Sequence, residues 1–263
     1  MERREGVTIT VLKTLERAGE MSLFAVKSIT ELFRAPLEGT QLIRHIAESG
    51  AKSLPLIIAS GLTLGAVMTL HTRSTLVKLG AAAMIPNVQA VGFFVEIGPL
   101  VTGLLFAGRV GSGIAAVLAN MRATEQIDAV ESLSIDSFDF LVVPRVLACV
   151  ISLPILTLFM NFSGLLGGFA AEYGASHISL SLYLTRSLSN LGWVNFIPPT
   201  LKTAVFGLIV GAISAFYGFT SHEGSQGVGR ASTDSVVLSS IMIILADFVL
   251  TKCTFFAFPG NAL

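Results

Sequence analysis

Five apolar stretches constrain this chain more than anything else in it. They cover residues 54–71, 88–119, 146–170, 198–219 and 235–258. A membrane-crossing helix needs ~20 such residues. The first stretch is marginal in length and the second unusually long. Hydrocarbon offers no water to backbone N–H and C=O groups, so each run is expected as a helix that satisfies its own backbone. Composition agrees: 13% of residues are charged, about half the fraction of a soluble domain, and mean hydropathy is +0.76. The expected fold is an all-α membrane protein with five transmembrane helices. Pro99 and Pro154 fall inside the second and third runs. Each is expected to kink its helix, since proline lacks the N–H and clashes one turn back.

Residues 1–53 differ from the apolar remainder, 54–263. Leu23, Val26, Ile29 and Phe33 recur at helical spacing, interleaved with Lys27 and Glu31. That pattern predicts an amphipathic helix lying in the membrane interface, or one that packs on the bundle. Pro36 and Gly39 end it, and a second short helix over 41–52 feeds the first span. Eight of the 17 Lys and Arg residues precede that span. The positive-inside rule then places the N-terminus in the cytoplasm.

The net charge is zero and basic residues are scattered, so nucleic acid is not an expected partner. Cys149 and Cys253 sit in apolar runs without metal-ligand spacing and read as two small buried hydrophobes. The four histidines lie in different segments, so no metal or catalytic base is expected. The charged start lacks the apolar core of a signal peptide. No internal repeat is visible, and five spans cannot form two equal inverted halves. A symmetric pathway therefore calls for a homodimer.

The second run reads "EIGPLVTGLLFAGRVGSGIAAVLAN" from Glu96. Gly103, Ala107, Gly111, Ala115 and Ala119 recur every four residues, a small-residue ridge that lets another helix approach closely. Glu96 and Arg109 are thirteen residues apart, ~20 Å along a straight helix, and point to different sides. They cannot pair with each other. A lone charge in hydrocarbon costs at least ~2.5–3.5 kcal/mol, so each needs its own partner or water. Glu96 is expected to face a polar cavity or a partner subunit. Arg109, nearer the cytoplasmic end, is expected to snorkel or to meet an acid of the next loop.

That next segment, residues 120–140, carries Glu125, Asp128, Glu131, Asp136 and Asp139 against Arg122 alone. Ile127, Val130 and Leu133 recur every three residues. The pattern predicts a short amphipathic helix within 120–140, suited to docking a cytoplasmic partner. The other inside loop, "GSQGVGR" at 224–230, is glycine-rich and reads as flexible.

Residues 96–157 together resemble the MlaE-type permeases of lipid ABC transporters. The Glu-x-Gly-Pro, the "AGRVGS", the "MRATEQ" and the Pro-Arg before "SLP" stand in that family's order, and "ADFVL" at 246–250 matches more weakly. The resemblance covers residues 50–258. It implies five spans after an interfacial N-terminal helix, in a bacterial inner-membrane homodimer. It also implies a separate cytoplasmic ATPase, an MCE-domain protein on the outer side and phospholipids or related lipids as cargo. It implies that residues 124–138, opening with Glu125 and Gln126 and including Ile127, Asp128, Val130, Leu133 and Asp136, form the coupling helix. It places lipid near Leu64, Met68, Leu76, Leu79 and Glu96. Val95 stands where some relatives have arginine, and Asp136-Ser137 where many have Asp-Pro.

No phosphate-binding G-x-x-x-x-G-K-[ST] is present, and "GRVGSG" follows no predicted strand, so the chain is read as a transport subunit that needs no cofactor. An intramembrane hydrolase using Ser112 or Ser163 lacks a histidine or lysine base in the same spans. A channel is the other alternative, poorly matched to spans with so few charges and a docking helix.

Overall fold

The structure, a computed structural model, describes residues 2–32, 39–189, 191–221 and 224–257, and side chains from Leu15 on except those of 17 and 18. The described residues form helices and turns, with no strand. Helix α1 is Glu2–Leu32, α2 Gly39–Gly50 and α3 Leu54–Leu76. The second apolar run comprises α4 (Ile85–Gly92), a π turn (Phe93–Ile97), α5 (Gly98–Phe106), a second π turn (Ala107–Gly111) and α6 (Ser112–Ala123). Then come two short helices, α7 (Gln126–Ser132) and α8 (Ser137–Leu141). Helix α9 is Val143–Ser176, α10 Leu180–Leu188, α11 Ile197–Phe219 and α12 Gly224–Ala257. Among the described residues, five helical stretches are long and apolar enough to cross a membrane. The chain is a multi-pass, all-helical membrane protein.

Helix α9 lies at the centre, packed between α3 and α11. It meets α3 through glycine. A Cβ on Gly65 would collide with the Gly164 backbone, and one on Gly167 with the Leu62 backbone. Bare backbones let the two helices cross in direct contact, the usual basis of association where lipid is as apolar as any side chain. Phe93, Phe106, Leu153, Met160 and Phe206 fill the space between these helices.

Two π turns interrupt the second run. Gly98 N–H donates to the Phe93 carbonyl, five residues back, and Ser112 N–H donates to that of Ala107. Pro99 follows the first turn and has no N–H for the Val95 carbonyl. The extra residue relieves the clash at the proline. By contrast, α9 continues as helix through Pro154. Glu96 and Arg109, the run's two charged side chains, each sit in a π turn.

Helix α1 docks by one face. Phe24 packs edge-on against Phe138 and Phe216, Ser28 is fully buried, and Lys27 Nζ lies 4.2 Å over the Phe138 ring. The Leu23, Val26 and Ile29 face stays exposed. Phe33 lies outside the described residues.

Three expectations are corrected. Residues 224–230 are not a flexible loop: they are the first turns of α12, entered through Gly224 at φ +56°. Residues 124–138 are not one helix but α7 and α8, separated by a turn in which Ser134 takes φ +60° and Asp136 caps α8. Cys149 is buried as expected, whereas Cys253 is exposed on α12. That helix is apolar on its outward side too, where Val237, Ile244 and Phe248 are exposed.

Candidate functional site

A buried ion cluster joins the second, fourth and fifth spans. Lys202 is in the second turn of α11, and its ammonium is 2.8 Å from Asp247 Oδ1 of α12 and 2.9 Å from Glu96 Oε2. It also donates to Thr251 Oγ1 at 3.1 Å. The Thr251 hydroxyl lies 3.3 Å from Glu96 Oε2, closing the ring of contacts. Asp247 and Thr251 are one helical turn apart, so both reach the same ammonium. The Asp247 contact is an ion pair by distance but too oblique for a hydrogen bond. The Lys202 and Asp247 side chains are 5% and 7% exposed, and that of Glu96 is 40% exposed.

This arrangement follows from cost. An isolated ion in a low-dielectric interior is expensive, and good geometry to opposite charges offsets that expense. One ammonium faces two carboxylates, and Glu96 is the most exposed member of the three. That carboxylate opens into a cavity of about 150 Å³. Val91, Val95, Val194, Pro199 and Phe255 form apolar walls, and Glu96, Lys202 and Thr251 form the polar floor. Apolar walls over an ionised floor fit an amphiphile better than a small polar solute.

Glu96 therefore does face a cavity. The other four residues expected to line the pathway lie elsewhere in the single chain. Leu64 and Met68 are half-buried against the core, with Met68 Cε behind Gly92, itself a wall of the cavity. Leu76 is half-buried near the end of α3, and Leu79 is 72% exposed in the turn beyond. Lys202, Asp247 and Thr251 were not singled out from sequence. The signal existed: a lysine and an aspartate inside apolar spans each require a partner.

The small-residue ridge packs within the protomer. A Cβ on Gly111 would lie 2.9 Å from Ser214 Oγ and 3.0 Å from Val210 Cγ1 of α11, and one on Gly103 would touch Phe206 and Ile243. Ala107 between them is fully buried.

At the far end of the bundle the acidic segment is tied down locally. Arg122 pairs with Asp128 at 2.7 Å, Ser137 Oγ donates to Glu131 at 2.5 Å, and Asp136 accepts from the Phe138 N–H at 2.8 Å. Gln126 donates to Thr124 Oγ1 at 3.0 Å. Ile127 is fully buried with Leu118, Phe138 and Val143. It is not free to fill a partner's groove, as its spacing suggested; it holds α7 to the bundle. Val130 is half-buried, Leu133 is 72% exposed, and Glu125 is exposed just ahead of α7. The two candidate nucleophiles are engaged by their own helices: Ser112 Oγ donates to the Gly108 carbonyl at 2.6 Å and Ser163 Oγ to that of Met160 at 2.9 Å.

Comparison with known proteins now assigns the family. The model of the permease MlaE family matches residues 42–253. A probable ABC transporter permease protein of Rickettsia bellii is 35% identical over 244 residues, covering 93% of this chain and 94% of the relative. A probable ABC transporter permease protein of Synechocystis is 34% identical over 206 residues, 78% of each chain. The chloroplastic protein TRIGALACTOSYLDIACYLGLYCEROL 1 of Arabidopsis thaliana is 30% identical over 251 residues, 95% of this chain and 71% of the relative. With five membrane-spanning helices matched over nearly their whole length, the chain belongs to the MlaE permease family, as a transport subunit rather than an enzyme.

Proposed function

We propose that the chain is the membrane subunit of a lipid transporter, with the cavity over Glu96, Lys202 and Asp247 as its cargo site. The observation that carries this reading is the pairing of apolar walls with a buried, charged floor inside the membrane. Family membership supports transport, and one relative bears the name of a galactolipid. The cargo is a phospholipid or a related lipid. Two copies assemble, with Leu64, Met68, Leu76 and Leu79 completing the path across the shared interface. The first and fifth spans are the least buried in the single chain, which supports a partner there. The positive N-terminal segment supports an orientation with α7 in the cytoplasm of a bacterial cell, at the inner membrane. There Glu125, Val130 and Leu133 dock a separate ATPase, while an MCE-domain protein sits on the outer side. In this setting α1 lies in the interface with Leu23, Val26 and Ile29 in lipid.

The test is photocrosslinking in membranes with a probe at Val95 or Phe255. Both positions should capture lipid, and Lys202→Ala should abolish capture at Val95. Capture confined to an outward control such as Phe248 would count against the cavity as cargo site.

A further inference from the structure

A second cavity, of about 370 Å³, opens at the other end of the second span. The α2 region, the second π turn, α6 and the start of α9 build it. Helix α2 turns His45 and Glu48 toward it, three residues apart on one helical face, and Lys52 follows in the turn before α3. The second π turn supplies Arg109, and the start of α9 supplies Arg145. Its charge is unbalanced. Glu48 is the one carboxylate in the lining, and it is engaged by Arg44 at 3.5 Å and Lys52 at 4.0 Å. Among the described residues no carboxylate lies within ion-pair distance of Arg109 or Arg145. Arg145 reaches only the Leu141 carbonyl. Arg145 is half-buried and Arg109 exposed, and a guanidinium drawn partly out of water without a carboxylate calls for an anion.

The opposite wall is apolar. Val110, Ile114 and Val117 face the cavity beside Gly113, where no atom lies within 4 Å of a Cβ position. The cavity thus joins a cationic half to an apolar half with open space between. Free phosphate would use only the first half; a lipid uses both. Basic pockets between membrane helices hold acidic headgroups in this way.

We propose that this cavity binds an anionic phospholipid, its phosphate held by Lys52, Arg109 and Arg145 and its acyl chain laid along Val110 to Val117. The bound lipid locks α2 to the second and third spans. It is distinct from cargo, because Arg109 and Glu96 lie ~20 Å apart along the helix. The site therefore stands or falls independently of the cavity at Glu96.

The test titrates the full chain, purified in uncharged detergent, with dioleoyl phosphatidylglycerol, dioleoyl phosphatidylcholine or inorganic phosphate, reading the melting temperature. Phosphatidylglycerol should raise it, and the other two should not at equal concentration. Arg109→Gln should weaken the apparent affinity about fivefold, the loss expected for one basic contact near an acidic headgroup. Gly113→Leu should weaken it comparably by filling the acyl half without touching a charge. Arg109 is exposed and Gly113 faces open space, so neither change should move the lipid-free melting temperature. Lys78→Gln, at the opposite end of α3, should bind like wild type. The site is refuted if both lipids act alike, if both pocket variants bind normally, or if Lys78→Gln weakens binding as much as Arg109→Gln. Equal stabilisation by inorganic phosphate overturns the lipid assignment.

Discussion

Lys202 is the residue on which most depends. Its ammonium neutralises a buried aspartate and positions a half-exposed glutamate. Removing one partner of a buried pair leaves the other charge uncompensated, at a cost of about 3–5 kcal/mol. Lys202→Met should therefore destabilise the protein strongly, seen as a lower melting temperature in detergent. Replacing both ions by apolar groups often restores stability. The double variant Lys202→Met with Asp247→Leu should thus melt near wild type yet fail to transport lipid. Recovery of both properties would reduce the cluster to a structural role. A milder signal comes from Tyr183, fully buried beneath the connection after α9, whose hydroxyl donates to Gln89 Oε1 at 2.8 Å. Burial pushes its phenol up to about 12. An unfolded tyrosine ionises near ~10, so above that pH the native state holds a proton that the unfolded chain has released. Stability should fall as pH rises from about 10 toward 12, with no contribution below. Ultraviolet titration should show a tyrosine component near pH 12 that Tyr183→Phe removes.

At the scale of elements, the second span decides the architecture. Its two π turns place Glu96 and Arg109 toward separate cavities, and its small-residue ridge seats α11 and α12. At Gly111 even a methyl group would sit 2.9 Å from Ser214 Oγ. Overpacking of this kind costs about 1–3 kcal/mol. Gly111→Leu should lower yield and melting temperature, while Gly113→Leu, on the open side of the same helix, should leave both unchanged. Equal behaviour of the two would mean that the ridge is not a packing surface. Its spacing was plain in the sequence. Its partner was not, because such a ridge suits a neighbour in the same chain or in another copy equally well.

For the whole molecule, force from a partner must enter through an element with two arrangements. Helix α7 is held by buried Ile127, and exposed Glu125 and Leu133 flank its two ends. That geometry suits a lever better than a solvated loop. Losing one member of a desolvated charge pair commonly costs 2–5 kcal/mol, about 30-fold or more in affinity. Glu125→Lys should release the proposed ATPase partner in a pull-down while the chain still inserts, and Glu20→Lys on α1 should retain it. Full retention with normal lipid transport in Glu125→Lys would remove α7 from the coupling path.

By itself the sequence determined the number of spans, the spacing of the ridge, the two intramembrane charges Glu96 and Arg109, and the short acidic segment between the second and third spans. Each rests on local pattern: run length, four-residue recurrence, or an ion where hydrocarbon forbids a lone one. Only the tertiary structure decided which side of an apolar helix meets protein. Lipid and core are equally apolar, so the periodicity that marks a buried face in water is absent here. For that reason Cys253 lies outside while Cys149 lies within, and Leu79 stands away from the cavity that Val95 lines. Lys202 and Asp247, 45 residues apart in sequence, became one site because α11 and α12 pack side by side. A span's hydropathy records what it must avoid, and only its neighbours determine what its buried charges meet.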